Sequence, residues 1–113
     1  MLEGSAARPD SIVLFRETNH QLSAYLLATS SEDGTELLRI GVAPSGRRQG
    51  LAKSMMMELV AMSQRILLEV SDSNRAAISL YLGCGFKEIA RRKRYYADES
   101  DCIVMQLEKG AGS

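Results

Sequence analysis

Two adjacent arginines and a glycine stand where a loop opens into a predicted helix. They belong to Arg47-Arg48-Gln49-Gly50-Leu51-Ala52, which follows the turn signal Ala43-Pro44-Ser45-Gly46. The first amides of a helix lack partners within the helix and carry the positive end of its dipole, so they attract anions such as phosphate. Guanidinium groups add charged donors, and a glycine lets the backbone approach a bulky ligand closely. The six residues are therefore predicted to bind a diphosphate.

Two familiar phosphate-binding loops do not fit this stretch. A Walker loop needs four residues between its glycines and then Gly-Lys-Ser/Thr, whereas Gly46 and Gly50 enclose only three and Lys53 follows an alanine. The dinucleotide fingerprint G-x-G-x-x-G is absent. The six residues alone leave a further interpretation open, in which a solvated basic turn precedes a core helix.

Glu69 and Tyr81 are candidates for proton transfer. Glu69 interrupts the apolar run Ile66–Val70, so it either reaches solvent beside a basic partner or lies in a cleft, where it could accept a proton from a substrate. Tyr81 lies on a predicted helix, and its phenol could donate a proton to a leaving group. The alternative for Tyr81 is a half-buried aromatic side chain with its hydroxyl in water.

The hydrophobic pattern predicts the elements that position these residues. Apolar residues recur every four positions after Gly50, which is typical of an amphipathic helix whose methionines, Met55 to Met57, fill the core. The strands before and after this helix should be parallel, because they form a strand–helix–strand unit. In all, the pattern predicts strands at residues 11–15, 22–29, 36–42, 66–70, 86–96 and 101–107, and helices at residues 50–64 and 75–82.

Length and composition predict one α/β domain. The 113 residues suffice for a single core, predicted at residues 11–109 between a frayed start at 1–10 and a loose tail at 110–113. Fourteen basic residues balance fourteen acidic ones, so no global charge favours a membrane or nucleic acid. Two cysteines and one histidine show no metal-ligand spacing and predict a reduced, cytoplasmic protein without a metal.

A basic run, Arg91-Arg92-Lys93-Arg94, stands beside Tyr95-Tyr96 and raises the question of RNA binding. Side chains on a strand alternate between its two faces, so these cannot all line one groove. Nucleic-acid binding is therefore not expected, and a solvated strand edge or the rim of an acceptor site is favoured.

Together these motifs resemble a known family. Arg47-x-x-Gly50-x-Ala52 is similar to the Q/R-x-x-G-x-G/A signature of the GCN5-related N-acetyltransferases, abbreviated GNAT. Further motifs resemble the RimI-type branch of that family, which acetylates protein N-termini. The resemblance covers about residues 21–109 and is carried by Leu68-Glu69-Val70, Ser73-Asn74, Ala77, Leu80-Tyr81, Gly85-Phe86, Tyr95-Tyr96 and Met105.

The resemblance implies a GNAT fold, with a mixed central sheet and helices packed on it, and acetyl-CoA as co-substrate. It assigns the acetyl-CoA diphosphate to Arg47, Arg48, Gln49, Gly50, Leu51 and Ala52, and the pantetheine arm to Asn74 and to the main chain of Ile40, Gly41 and Val42. The Val42 amide would polarise the thioester carbonyl. Glu69 would be the general base and Tyr81 the general acid, in a direct attack by the amine within a ternary complex.

The resemblance leaves the acceptor open. A protein N-terminal amine is expected first, a small-molecule amine second, and a catalytically idle CoA-binding or interaction module is the alternative from another class. The sequence is predicted to lack the first strand of the family and the helices that follow it, which usually form one wall of the acceptor site. Their absence would expose apolar surface that a homodimer could cover.

Overall fold

The computed structural model describes residues 10–47 and 49–110, so the predictions for residues 1–9, Arg48 and residues 111–113 lie outside the described residues. Within the described residues, six strands, two α-helices and one 3-10 turn follow one another. They are β1 (Ser11–Thr18), β2 (Gln21–Ser31), β3 (Gly34–Val42), the 3-10 turn (Pro44–Gly46), α1 (Leu51–Ala61), β4 (Arg65–Ser71), α2 (Arg75–Gly83), β5 (Lys87–Arg92) and β6 (Cys102–Glu108).

The strands form a single mixed sheet in the order β1-β2-β3-β4-β6-β5. Strands β3 and β4 are parallel, as the strand–helix–strand pattern predicts, and the other neighbouring pairs are antiparallel. The parallel pair is short, because only Thr35 opposite Ile66 and Glu36 opposite Leu67 are in register. Beyond these residues β3 and β4 diverge, and the divergence opens a cleft in the middle of the sheet.

Helix α1 packs on β1, β2 and β3 through its apolar stripe. Met55, Met56 and Leu59 are fully buried there, as the four-residue periodicity predicts. Met57 is 46% exposed, so only two of the three consecutive methionines fill the core. The core continues under α2, where Tyr81 and Phe86 are buried.

Three predicted boundaries are wrong by three residues or more. Strand β1 ends at Thr18 rather than residue 15, because Arg16, Glu17 and Thr18 still pair with β2. Helix α1 ends at Ala61 rather than residue 64, because its last turn tightens and the Met62 amide donates to the Leu59 carbonyl. Strand β5 ends at Arg92 rather than residue 96, and residues 93–101 form a loop. Arg94 (φ 50°) and Glu99 (φ 68°) adopt the left-handed conformation in this loop, which no strand accommodates.

The face of the sheet opposite α1 carries exposed apolar side chains. On β1, Ile12 and Leu14 pack against the core, while Val13 and Phe15 alternate with them and are more than half exposed. Tyr25 and Leu38 continue this surface, which we call the outer face (Val13, Phe15, Tyr25 and Leu38). This face of the sheet therefore exposes several apolar side chains. Among the described helices, none combines the length and apolar character that a bilayer span requires.

Candidate active site

The loop before α1, which we call the anion loop (residues 46–52), lines a hollow of about 240 Å³. The described residues of the anion loop that line the hollow are Gly46, Arg47 and Gly50, together with the first turn of α1. Val42 at the end of β3 and Leu80 on α2 complete the wall. A basic loop at a helix N-terminus thus faces an open space rather than bulk protein.

The two glycines of the anion loop serve different purposes. Gly46 is buried, and a Cβ there would lie 3.0 Å from the Ser23 carbonyl oxygen and 2.9 Å from Leu51 Cδ1, so close packing requires glycine. Gly50 is the N-cap of α1 with φ 70°, and a Cβ there would meet no protein atom within 4 Å. Its backbone conformation favours glycine, and the space beside it is free for a ligand.

The remaining described residues of the anion loop shape it. The exposed Arg47 ends the 3-10 turn, its amide donating to the Pro44 carbonyl at 3.3 Å. Gln49 Nε2 donates to the Ser45 carbonyl at 2.9 Å, which braces the loop. Leu51 and Ala52 are half-buried in the first turn of α1, where no side chain caps the free amides. The first amides of α1 therefore receive no side-chain acceptor from the cap residue, Gly50.

The cleft between β3 and β4 has a volume of about 270 Å³ and brings together residues that are far apart in the sequence. Ile40 lines it from β3, Glu69 from β4, Asn74 from the N-cap of α2 and Tyr81 from α2 itself. Both candidate proton-transfer residues thus share one cleft.

Glu69 lies on the open side of the cleft. Its neighbours Leu68 and Val70 point into the core, and the Glu69 side chain, on the opposite face of β4, is 41% exposed. Arg92 Nη1 stands 3.9 Å from Glu69 Oε2. The two interpretations of Glu69 are therefore compatible: it lines a cleft and also has a basic partner.

Tyr81 is buried, with 5% of its surface exposed, rather than half-buried. Its ring packs at 5.9 Å from that of Phe86. Burial raises the pKa of the Tyr81 phenol, and the nearby Cys84 raises it further. The phenol therefore stays protonated at neutral pH and is a proton donor rather than a base.

The end of β3 joins the anion loop to the cleft. Val42 lines the hollow of the loop, and Ile40, two residues earlier, lines the cleft. Between them, Gly41 lies against the Tyr25 ring, where a Cβ would come within 2.6 Å of Tyr25 Cε1. Asn74 Oδ1 caps α2 by accepting from the Ala77 amide at 3.2 Å, so its Nδ2 is the group directed to other partners.

Sequence reasoning missed Tyr96 as a residue of the cleft. Tyr96 lies in the loop between β5 and β6 and forms part of the cleft wall with Glu69 and Tyr81. Burial, followed by the neighbouring Cys102 and the Glu69 charge, raises the pKa of Tyr96 to about 12. The turn-forming residues Asp98 to Asp101 are the sequence signal that could have indicated a loop here instead of a strand.

Cys84 does not have the features of a nucleophile. It caps the end of α2 and is half-buried. Burial raises the pKa of its thiol, although Lys53 acts in the opposite direction. A neutral thiol is a poor nucleophile, so Cys84 is a packing residue. In the described part of the chain, no group of three acidic, histidine or cysteine side chains is arranged to hold a metal ion.

Known proteins share both the sequence pattern and the fold. The model of the acetyltransferase (GNAT) family matches residues 2–86. The ribosomal protein bS18-alanine N-acetyltransferase of Escherichia coli K12 is 33% identical over 97 residues, which cover 79% of this chain and 66% of that protein. The N-alpha-acetyltransferase RimI of Mycobacterium tuberculosis is 32% identical over 78 residues, covering 66% of this chain and 49% of that protein. The chain thus spans about half to two thirds of these relatives.

Solved structures of known acetyltransferases share the fold of this chain. The ribosomal-protein-S18-alanine N-acetyltransferase from Escherichia coli has a TM-score of 0.84 and 29% identity, covering 93% of this chain and 74% of that one. An acetyltransferase from Bacillus anthracis, crystallised with acetyl coenzyme A, has a TM-score of 0.80 at 19% identity. The match covers 91% of this chain and 65% of the Bacillus anthracis protein, and it shows that the two share a fold. The predicted fold class and the predicted family are confirmed: the chain belongs to the acetyltransferase (GNAT) family.

Proposed function

We propose that this chain transfers the acetyl group of acetyl-CoA to an amine, most readily the N-terminal α-amino group of a protein. The observation that carries the proposal is the cleft where β3 and β4 diverge, because Glu69 and Tyr81 share it and the end of β3 leads from it to the anion loop. The proposed proton acceptor, the proposed proton donor and the proposed anion site would therefore lie along one path.

The anion loop would hold the diphosphate of acetyl-CoA. The free amides at the start of α1 and the guanidinium groups of Arg47 and Arg48 provide donors for it. The pantetheine arm would follow Ile40, Gly41 and Val42, whose main chain lies beyond the short pairing of β3 with β4. The Val42 amide would polarise the thioester carbonyl, and Asn74 Nδ2 would bind an amide of the arm.

The proposed reaction is a single acyl transfer. The amine nitrogen attacks the thioester carbon, the C–S bond breaks, and the acetyl group ends on nitrogen. Glu69 accepts the proton that the amine loses, directly or through a water, and Tyr81 donates a proton to the departing thiolate. No covalent enzyme intermediate is formed, in agreement with the packing role of Cys84.

The acceptor is assigned by likeness to the bS18-alanine acetyltransferases, of which this chain spans 66%. A peptide bearing the N-terminal sequence of bS18 should therefore release CoA from acetyl-CoA in the presence of the protein. Release with polyamines but not with the peptide would favour the small-amine alternative. CoA binding without release for any of these acceptors would favour the idle CoA-binding module and contradict the proposed reaction.

Replacing Glu69 by glutamine should lower kcat/KM for the acceptor about fivefold, a modest effect for a general base because water can partly replace an exposed carboxylate. Steady-state kinetics with the acceptor at neutral pH would measure this decrease. Glu36→Gln, an exposed carboxylate on β3 outside the cleft, is the matched control. An unaltered kcat/KM in Glu69→Gln would remove Glu69 from this role.

Three further predictions concern partners and location. The outer face is where we expect a homodimer contact, and sedimentation equilibrium would reveal a monomer if this is wrong.

The cytoplasmic location stays a prediction from the free thiols. Nucleic-acid binding stays unexpected, because Arg91, Arg92 and Lys93 are each paired with a carboxylate in the described structure.

A further inference from the structure

Asp101 ties the loop between β5 and β6 to the rest of the molecule. Its carboxylate accepts from the Arg94 amide at 3.0 Å and from Arg91 Nη1 at 2.9 Å, with Lys93 Nζ at 3.5 Å. Its main chain forms two hydrogen bonds with Asp72: the Asp101 amide donates to Asp72 Oδ1 at 3.2 Å, and the Asp72 amide donates to the Asp101 carbonyl at 3.0 Å. The Asp101 side chain is only 14% exposed, whereas the side chains of its partners Arg91 and Lys93 are 34% and 80% exposed.

These contacts join two walls of the cleft. Asp72 lies in the turn between β4 and α2, two residues before Asn74, and the loop held by Asp101 carries Tyr96. Ser100 strengthens the connection, because its hydroxyl is 2.7 Å from Ser71 Oγ and its carbonyl accepts from the Tyr96 amide at 3.2 Å. Tyr96 is thus placed by a loop whose end is fixed to the opposite wall.

The wall that carries Tyr96 faces the place where an amine would react. Tyr96 and Glu69 line the same cleft, and the Glu69 charge contributes to the raised pKa of the Tyr96 phenol. Arg92, at the last residue of β5, pairs with Glu69 and stacks 5.4 Å from the Tyr95 ring. The start of the loop therefore surrounds the proposed base.

We propose that Asp101 is a positioning residue that fixes the loop between β5 and β6 so that Tyr96 forms the acceptor side of the cleft. That this side of the cleft binds the acceptor depends on the proposed acetyl transfer, whereas the fixing of the loop by Asp101 does not. The backbone donor of Arg94, then the Arg91 guanidinium, hold the pKa of the Asp101 carboxyl below its usual range. Asp101 therefore stays ionised through the neutral range, and the loop stays fixed there.

The test compares Asp101→Asn with Glu88→Gln. Both changes remove a carboxylate that contacts Arg91, but Glu88 lies on β5 three residues from Arg91 and does not join the two walls. In Asp101→Asn we expect the amides of Tyr95 and Tyr96 to exchange hydrogen about tenfold faster and the acceptor KM to rise about tenfold, since a charged hydrogen-bond network is lost. The Kd for acetyl-CoA and the shape of the pH–rate profile should stay unchanged, and Glu88→Gln should behave as the parent chain.

The other outcomes would contradict the inference or would show which part of it fails. Unchanged exchange at Tyr95 and Tyr96 would show that Asp101 does not fix the loop. A shifted pH profile at an unchanged acceptor KM would make Asp101 part of the proton transfer instead. If Asp101→Asn does not fold, Asp72→Ala removes the acceptor of the Asp101 amide on the other wall, and it should also raise the acceptor KM. If the parent chain acetylates no acceptor, the proposed function fails, while the exchange measurement still decides whether Asp101 fixes the loop.

Discussion

Tyr81→Phe is expected to lower kcat about a hundredfold, the lower end of what a general acid contributes, with an unchanged Kd for acetyl-CoA. The phenylalanine ring fills the same space beside Phe86, so packing is retained and only the hydroxyl is lost. The departing thiolate would then have to leave without the proton that Tyr81 supplies. Stopped-flow or steady-state assays of CoA release, combined with calorimetric titration of acetyl-CoA, would separate turnover from binding.

The pH dependence adds a second test of Tyr81. Burial raises the pKa of its phenol, so the parent enzyme should stay active through neutral and moderately alkaline pH and lose activity where the phenol deprotonates. Tyr81→Phe should lack that alkaline loss. Tyr25→Phe, which removes a hydroxyl outside the cleft, should leave turnover unaltered. Full activity in Tyr81→Phe would exclude Tyr81 as the acid.

Gly50→Glu is expected to weaken acetyl-CoA binding about a hundredfold, because it combines left-handed backbone strain with a negative charge beside the diphosphate. Gly50→Gln has the same size and the same strain at φ 70° without the charge, and should weaken binding only about tenfold. The difference between the two variants isolates the charge.

Protein stability separates this explanation from simple misfolding. An acidic side chain at a helix N-terminus interacts favourably with the helix dipole, so Gly50→Glu should be at least as stable as Gly50→Gln. Binding and stability should therefore move in opposite directions between the two variants, which thermal melts and calorimetry would measure. Equal Kd values for the glutamate and glutamine variants would contradict an anion site at this loop.

Local sequence patterns predicted the elements whose side chains have one clear preference. The apolar run Ile66–Val70 predicted a strand, and the structure has that strand with Leu68 and Val70 in the core and Glu69 on the opposite face. The four-residue repeat after Gly50 predicted the buried stripe of α1. These predictions succeed because burial follows the period of the element.

Long-range contacts decided the features that the sequence analysis missed. The β-forming tyrosines Tyr95 and Tyr96 favoured a strand over residues 86–96, but the backbone turns out of the sheet because Asp101 binds the Arg94 amide and Asp72 holds the end of the loop. The partner of Glu69, Arg92, lies on a strand that is separated from β4 by β6 in the sheet. Pairings of this kind depend on strand order, which local patterns do not fix.

A crystal structure of the chain with acetyl-CoA tests the central claim most directly. The account predicts the diphosphate within hydrogen-bonding distance of the amides that begin α1 at Gly50 to Ala52. It also predicts the thioester in the cleft between β3 and β4, beside Glu69 and Tyr81. A diphosphate bound elsewhere, or a sulfur atom directed away from those two side chains, would contradict it.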